Sequence, residues 1–184
     1  NEVFFSDVRV PVSNLVGVEN EGWTIAKFLL THERTGIAGV GASTQALHEL
    51  KALARKLKRR GKPLIEDPLF AARIAQAEID LEALRMTNLR VLVDASGGAA
   101  SNTIASMLKI KGTVIRQNLN DLARRALGPA AAPFPVEALA GNLAVAPPEA
   151  AANAASYFNN RKLSIFGGSN EIQRNIIAKD LFGA

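Results

Sequence analysis

The spacing of hydrophobic positions changes character near residue 20. Before it, Val3, Phe4, Phe5, Val8, Val10 and Val12 are β-type residues, and the turn Pro11-Val12-Ser13-Asn14 follows. They read as a strand at the end of a sheet domain. From Gly22 a helical pattern runs to about Arg60, interrupted only by Gly36, Gly39 and Gly41, until Gly61-Lys62-Pro63 stops it. At ~1.5 Å per residue it predicts one helix roughly 55 Å long. Asp67-Pro68 is an N-cap followed by an N1 proline. Beyond it Phe70, Ile74, Ala77, Leu81, Leu84, Asn88, Val91 and Ala95 recur at spacings of four and three, one apolar seam of a second helix.

Gly97-Gly98 ends that helix. A third begins near Ser101, carries Ile104, Leu108, Ile115, Leu119, Leu122 and Ala126, and closes at Gly128-Pro129. So short a connection makes the second and third helices antiparallel neighbours. Residues 129–148, with Pro129, Pro133, Pro135, Pro147 and Pro148, read as a connector holding at most one short turn. Residues 149–163 permit a helix. Gly167-Gly168 breaks the pattern, and Asn170 with Gln173 is a capping-box candidate for a last helix through Ile172, Ile176, Ile177 and Leu181. The predicted fold is all-α, an antiparallel up-and-down helical bundle over residues 21–184, with a short strand remnant of a preceding β domain in residues 1–20.

Composition agrees. Thirty-one alanines against 5% aromatic residues favour closely packed helices over a sandwich or barrel. The 184-residue length and 48% hydrophobic content exclude a disordered tail. The absence of cysteine excludes disulfides, thiolate chemistry and cysteine-ligated metals. No stretch approaches the ~20 apolar residues of a membrane helix, and no signal-like segment opens the chain. We therefore expect a cytoplasmic protein that engages no membrane, and the missing initiator Met leads us to expect a fragment of a longer one. The net charge of +5 is local: Lys51, Arg55, Lys56, Lys58, Arg59, Arg60 and Lys62 make residues 51–62 +7, leaving the remainder at −2. Such a patch suits a phosphate, or simply complements a helix C-terminus. Without interleaved aromatics it does not point to nucleic acid.

Chemistry-bearing groups are few. His32 and His48 form no metal-ligand pattern, and no Gly-x-Ser-x-Gly elbow supports Ser169 as a nucleophile. The Gly36-to-Gly41 stretch lacks dinucleotide-binding spacing and reads as a small surface for close approach of a helix or ligand. Glu33-Arg34 places a carboxylate and a guanidinium within a helix beside Leu29 and Leu30. Buried, Glu33 would be a general base; exposed, it is a solvated helix residue. Gly167-Gly168-Ser169-Asn170 leads into a helix whose free amides would face an anion or a carbonyl oxygen, or is simply a change of direction.

Two long motifs carry a resemblance. The run from Tyr157 to Ala178, YFNNRKLSIFGGSNEIQRNIIA, is similar to the end of a flavin-dependent acyl-CoA dehydrogenase. Val3-Phe4-Phe5-Ser6-Asp7-Val8-Arg9-Val10-Pro11 resembles the last strand of that family's middle β domain, so the resemblance covers essentially the whole chain. It implies FAD as cofactor, an acyl-CoA substrate, and loss of an α-proton and a β-hydride to give a trans-2-enoyl-CoA. An electron-transfer flavoprotein would take the electrons.

Many members place the base in a Tyr-Glu-Gly-Thr motif, where this chain has Gly167. Others, resembling the isovaleryl and long-chain enzymes, use a Glu-Arg pair on the first bundle helix, and Glu33-Arg34 falls there. The resemblance thus implies Glu33 as catalytic base and Arg34 and Gly167 as substrate-binding. It makes Ser169 and Glu171 cofactor-binding, with Arg59 reaching the cofactor of a neighbouring subunit. The family's Arg-Lys-Thr-Phe-Gly stretch appears here as Arg59-Arg60-Gly61-Lys62-Pro63, and its glutamine before Leu-Gly-Gly as Arg125. A homo-oligomer, dimer or tetramer, through the bundle is expected. The alternative is a non-catalytic partner subunit within a hetero-oligomer.

Overall fold

The computed structural model describes residues 2–96, 102–133, 148–150 and 152–183. Inside these spans the side chains of residues 30–35, 37, 94–96, 102 and 148 lie outside the description. Six helices occur among the described residues: α1 (Gly22–Ile37), α2 (Val40–Lys56), α3 (Pro68–Ser96), α4 (Asn102–Leu127), α5 (Asn153–Asn159) and α6 (Asn170–Phe182). A two-stranded hairpin, β1 (Lys58–Arg59) and β2 (Lys62–Pro63), follows α2. No described helix is long and apolar enough to cross a membrane.

Three expectations need correction. The predicted 55 Å first helix is two helices, because Gly39 adopts a left-handed φ of 59° and starts a second helix with its carbonyl accepting from Ser43 N. That helix stops at Lys56, short of Arg60. Arg60 and Gly61 both take positive φ, the backbone of a two-residue hairpin turn, so Arg59 lies on a strand. Finally, residues 2–11 form no strand among the described residues. Their β-type side chains find no neighbouring strand, and Val3, Phe4, Phe5, Val8 and Val10 stay exposed.

The second helix follows its pattern. Asp67 Oδ1 accepts from Leu69 N and Phe70 N, both at 3.0 Å, and Pro68 opens α3. Phe70, Ile74, Ala77, Leu81, Leu84 and Val91 are buried in one continuous core with Leu47, Leu50, Leu108, Ile115, Leu119 and Leu122. Asn88 is half-buried on that seam, and Ala95 lies outside the described side chains. Gly128, at φ 60°, closes α4. The predicted Gly97-Gly98 stop and most of the proline-rich connector lie outside the described residues.

The central helix is α4. Gly112 meets Ala38 at the α1–α2 junction, and one turn on Arg116 Nη1 donates to Ala42 O, so α2 runs parallel to α4. On another flank Asn170 meets Lys109 while Asp180 accepts from Thr103, so α6 runs antiparallel. The close approach at Gly112 leaves no room for a side chain: a Cβ there would lie 2.2 Å from Ala38 O. The small surface expected at Gly36 to Gly41 is thus met from α4. Gly36 and Gly41 themselves face open space.

Candidate active site

One turn of α4, residues 109–113, carries the centre of the site. Lys109 is 0% exposed, and its Nζ donates to Asn170 Oδ1 at 2.9 Å. The other end of that amide, Nδ2, donates to Thr113 Oγ1 at 3.3 Å, and Thr113 Oγ1 donates to Ile110 O at 2.9 Å. Lysine is seldom fully buried, because a desolvated ammonium is costly unless paired. Burial pushes the Lys109 ammonium below the ordinary lysine range, and the Glu171 carboxylate works against that shift.

Asn170 opens α6 but does not cap it. Ser169 is the N-cap, its Oγ accepting from Ile172 N at 3.4 Å. This corrects the expected Asn170–Gln173 capping box. Asn170's side chain is taken by α4, and Gln173 Nε2 turns back to donate to Gly167 O at 3.2 Å and Gly168 O at 3.3 Å. Gly167 and Gly168 both have positive φ, and a Cβ on Gly168 would stand 2.5 Å from Gln173 Nε2. Gln173 Oε1 is buried with no hydrogen-bond partner among the described residues. The predicted apolar face of α6 is only partly used: Ile172 and Leu181 are exposed, and buried contact comes from the polar Asn170 and Gln173.

The amides of Asn170 and Glu171 precede the first helical bond, from Gln173 N to Ser169 O, and are directed out of the helix end. Glu171 is exposed. Its own backbone amide, then the Ser169 hydroxyl and the charges of Arg174 and Lys109, hold its carboxyl below the usual glutamate range against its slight desolvation. Upstream, Gln117 on α4 anchors the approach to the loop, donating to Asn160 O, Arg161 O and Ser164 Oγ at 3.1 to 3.3 Å. Arg161 returns a bond to Gln117 O and stacks 4.6 Å from the Tyr157 ring centroid.

Glu33 and Arg34 belong to α1, and their side chains lie outside the described residues. Their helix, however, ends on α4 at Gly112, next to Thr113. A single turn of α4 therefore seats both the helix of the Glu33-Arg34 pair and the loop holding Gly167, Ser169 and Glu171. Arg59 is not brought to this point. It is exposed on the hairpin beyond the 17 residues of α2, a separation along that helix of roughly 25 Å. Of the basic window, Lys51 pairs with Glu78 at 2.5 Å and Lys56 with Glu149. Arg59, Arg60 and Lys62 line a cleft with Glu66 and Asp67. Arg125 is tied to Asp121 at 2.5 Å.

Sequence reasoning missed Lys109, Gly112, Thr113 and Gln117, and gave Gln173 the wrong partner. The available signal was a second face on α4. Ala105, Lys109, Gly112 and Thr113 recur at helical spacing beside the leucine seam, a stripe of small and polar residues where a solvated face would carry several charges. No group of three or more potential metal ligands occurs among the described residues.

Comparison with known proteins places the chain in a family. Residues 20–182 match the family described as acyl-CoA dehydrogenase, C-terminal domain. Acyl-CoA dehydrogenase IpdE1 of Mycolicibacterium smegmatis is 32% identical over 183 residues, covering 100% of this chain and 42% of that protein. The ChsE4-ChsE5 complex from Mycobacterium tuberculosis matches with a TM-score of 0.76 at 30% identity, over 98% of this chain and 45% of that one. Butyryl-CoA dehydrogenase from Megasphaera elsdenii shares the fold, with a TM-score of 0.73 at 22% identity over 96% of this chain and 43% of that one. The chain thus spans less than half the length of these relatives.

Proposed function

The chain belongs to the acyl-CoA dehydrogenase family, and from that premise we propose that it is the C-terminal bundle of an FAD-dependent enzyme oxidising an acyl-CoA thioester to the trans-2-enoyl-CoA. The observation that carries this reading is the α4 turn at residues 109–113. It meets both the end of the helix that carries Glu33-Arg34 and the first residue of the helix after the glycine loop, which supports a base on the one and a cofactor loop before the other. In this reading residues 1–20 are the end of a middle β domain. Val3, Phe4, Phe5, Trp23 and Phe28 are exposed, an apolar surface of the kind that another domain covers.

Residues of the loop fit the cofactor. The outward amide of Asn170 and the charge of the Lys109 ammonium beneath it favour an anion at this helix N-terminus, while the Ser169 hydroxyl and the exposed Glu171 carboxylate suit hydroxyl groups, together matching the hydroxyl- and phosphate-bearing part of FAD. Held by Ser169 and Glu171, FAD would supply the two-electron oxidising capacity that the reaction needs. Glu33 takes the α-proton, Arg34 orients Glu33 or holds the CoA arm, and the Gly167 backbone contacts the thioester. Gly167 carries no side chain at the position where many members of the family have the loop glutamate. Arg59, far from this turn, would serve the cofactor of a neighbouring subunit in a homodimer or homotetramer built through the bundle. An electron-transfer flavoprotein would reoxidise the enzyme in the cytoplasm.

A second reading has its own support. The 30% identical ChsE4-ChsE5 structure is a complex of two proteins, which fits a partner subunit of a hetero-oligomer. Flavin stoichiometry separates the two. The purified full-length protein should hold about one FAD per chain, with a visible band that bleaches under anaerobic acyl-CoA. A colourless chain that takes up no added FAD would establish the partner reading instead.

A further inference from the structure

We infer that Lys109 is a positioning residue that, acting through Asn170, aims the first turn of α6 and the outward amide of Asn170 at the cofactor. The inference deepens the reading above and rests on it. Asn170 is the first residue after the N-cap, so anchoring its side chain anchors the first turn of α6 and with it the outward amide of residue 170. Both ends of that side chain are held by α4: the oxygen by Lys109 at 2.9 Å and the nitrogen by Thr113 at 3.3 Å. Among the described residues Asn170 Oδ1 is the one acceptor for the three protons of the Lys109 ammonium.

A purely structural position in this core would be filled more favourably by an apolar side chain. The charge is better explained by orientation, since a charge-assisted hydrogen bond is about twice as strong as a neutral one and fixes one rotamer of its acceptor. Gln173 fixes the opposite flank of the loop through Gly167 O and Gly168 O. The loop is thereby clamped at both ends, and the neighbouring Gly112 sets the distance to the helix bearing Glu33.

The test is a double-mutant cycle in FAD affinity on the full-length protein, measured below all melting transitions. Lys109→Met and Asn170→Ala should each raise the FAD dissociation constant about tenfold. The double variant should also show about tenfold, because both changes break one connection. Both single variants should shift the visible flavin band in the same direction. Leu108→Ala, which removes a core leucine one residue from Lys109, should lower the melting temperature and leave FAD affinity and the band unchanged. If Lys109→Met does not fold, Thr113→Val takes its place in the cycle, with the same expectation. Additive losses, about a hundredfold in the double variant, or wild-type FAD affinity in Lys109→Met would overturn the inference while leaving the function intact. A wild-type protein that binds no FAD would overturn both.

Discussion

Gly112→Ala tests the packing that brings the site together. The added Cβ would stand 2.2 Å from Ala38 O and 2.8 Å from Ala38 C and Cα. All three are backbone atoms of a buried residue, so no rotamer change relieves the overlap. Reaching ordinary contact requires α4 and the α1–α2 junction to separate by more than about 1 Å, against packing that tolerates little change. Overpacking of this kind costs about 3 kcal/mol, and the better helix propensity of alanine returns about 1 kcal/mol. The net loss of about 2 kcal/mol corresponds to a fall in Tm of about 4–8 °C for a domain of this size. Thermal and denaturant unfolding should show it, with Gly41→Ala as the control. Gly41 lies in α2 with nothing near its absent Cβ, so alanine there should be neutral or stabilising by up to about 1 kcal/mol. A Gly112→Ala protein that melts at or above the wild-type temperature refutes the close approach as the determinant of the junction.

Two further predictions concern single interactions. Asp67→Ala removes the acceptor of two α3 amides and should lower stability by about 1 kcal/mol in urea denaturation, while Asp67→Asn should recover most of it. For Asp121, burial raises the carboxyl pKa, but hydrogen bonds from Arg125 and Arg124 and then their charges outweigh it and hold the group below the ordinary aspartate range. The unfolded chain therefore binds the proton first, so this contribution is present above the ordinary aspartate range and is lost as pH falls through the lowered folded value. Melting curves between pH 6 and pH 2, set against those of Asp121→Asn, should converge toward the acid end. Parallel curves would contradict the assignment.

What could be read from sequence depended on how local the determining contact is. The α3 seam and the Asp67-Pro68 start rest on spacing and a capping side chain within three residues, and both were legible. The break at Gly39 was not, because a glycine within a helical run shows its left-handed φ only in the folded chain, where the neighbouring Ala38 meets Gly112 from a distant part of the sequence. The cap at Ser169 was misplaced by one residue because Asn170 spends its side chain on Lys109, 61 residues distant. Lys109 escaped notice since a lysine is ordinarily read as solvated. The residues 2–11 kept a strand's pattern without a strand's partner, and a pattern of alternation cannot supply the other half of a ladder. Gly167, Ser169 and Glu171 were singled out by the length of the motif around them. The α4 turn that holds them carries no such motif.

The central claim is that a base on α1 works against a cofactor held at the start of α6. Its most direct test is rapid-mixing absorbance of the full-length protein, wild type and Glu33→Gln, with the acyl-CoA that bleaches the wild-type flavin, without oxygen. The account predicts that Glu33→Gln retains FAD with its visible band but bleaches at least about 10³-fold more slowly, the loss expected for removal of a positioned general base. Bleaching at the wild-type rate would contradict it.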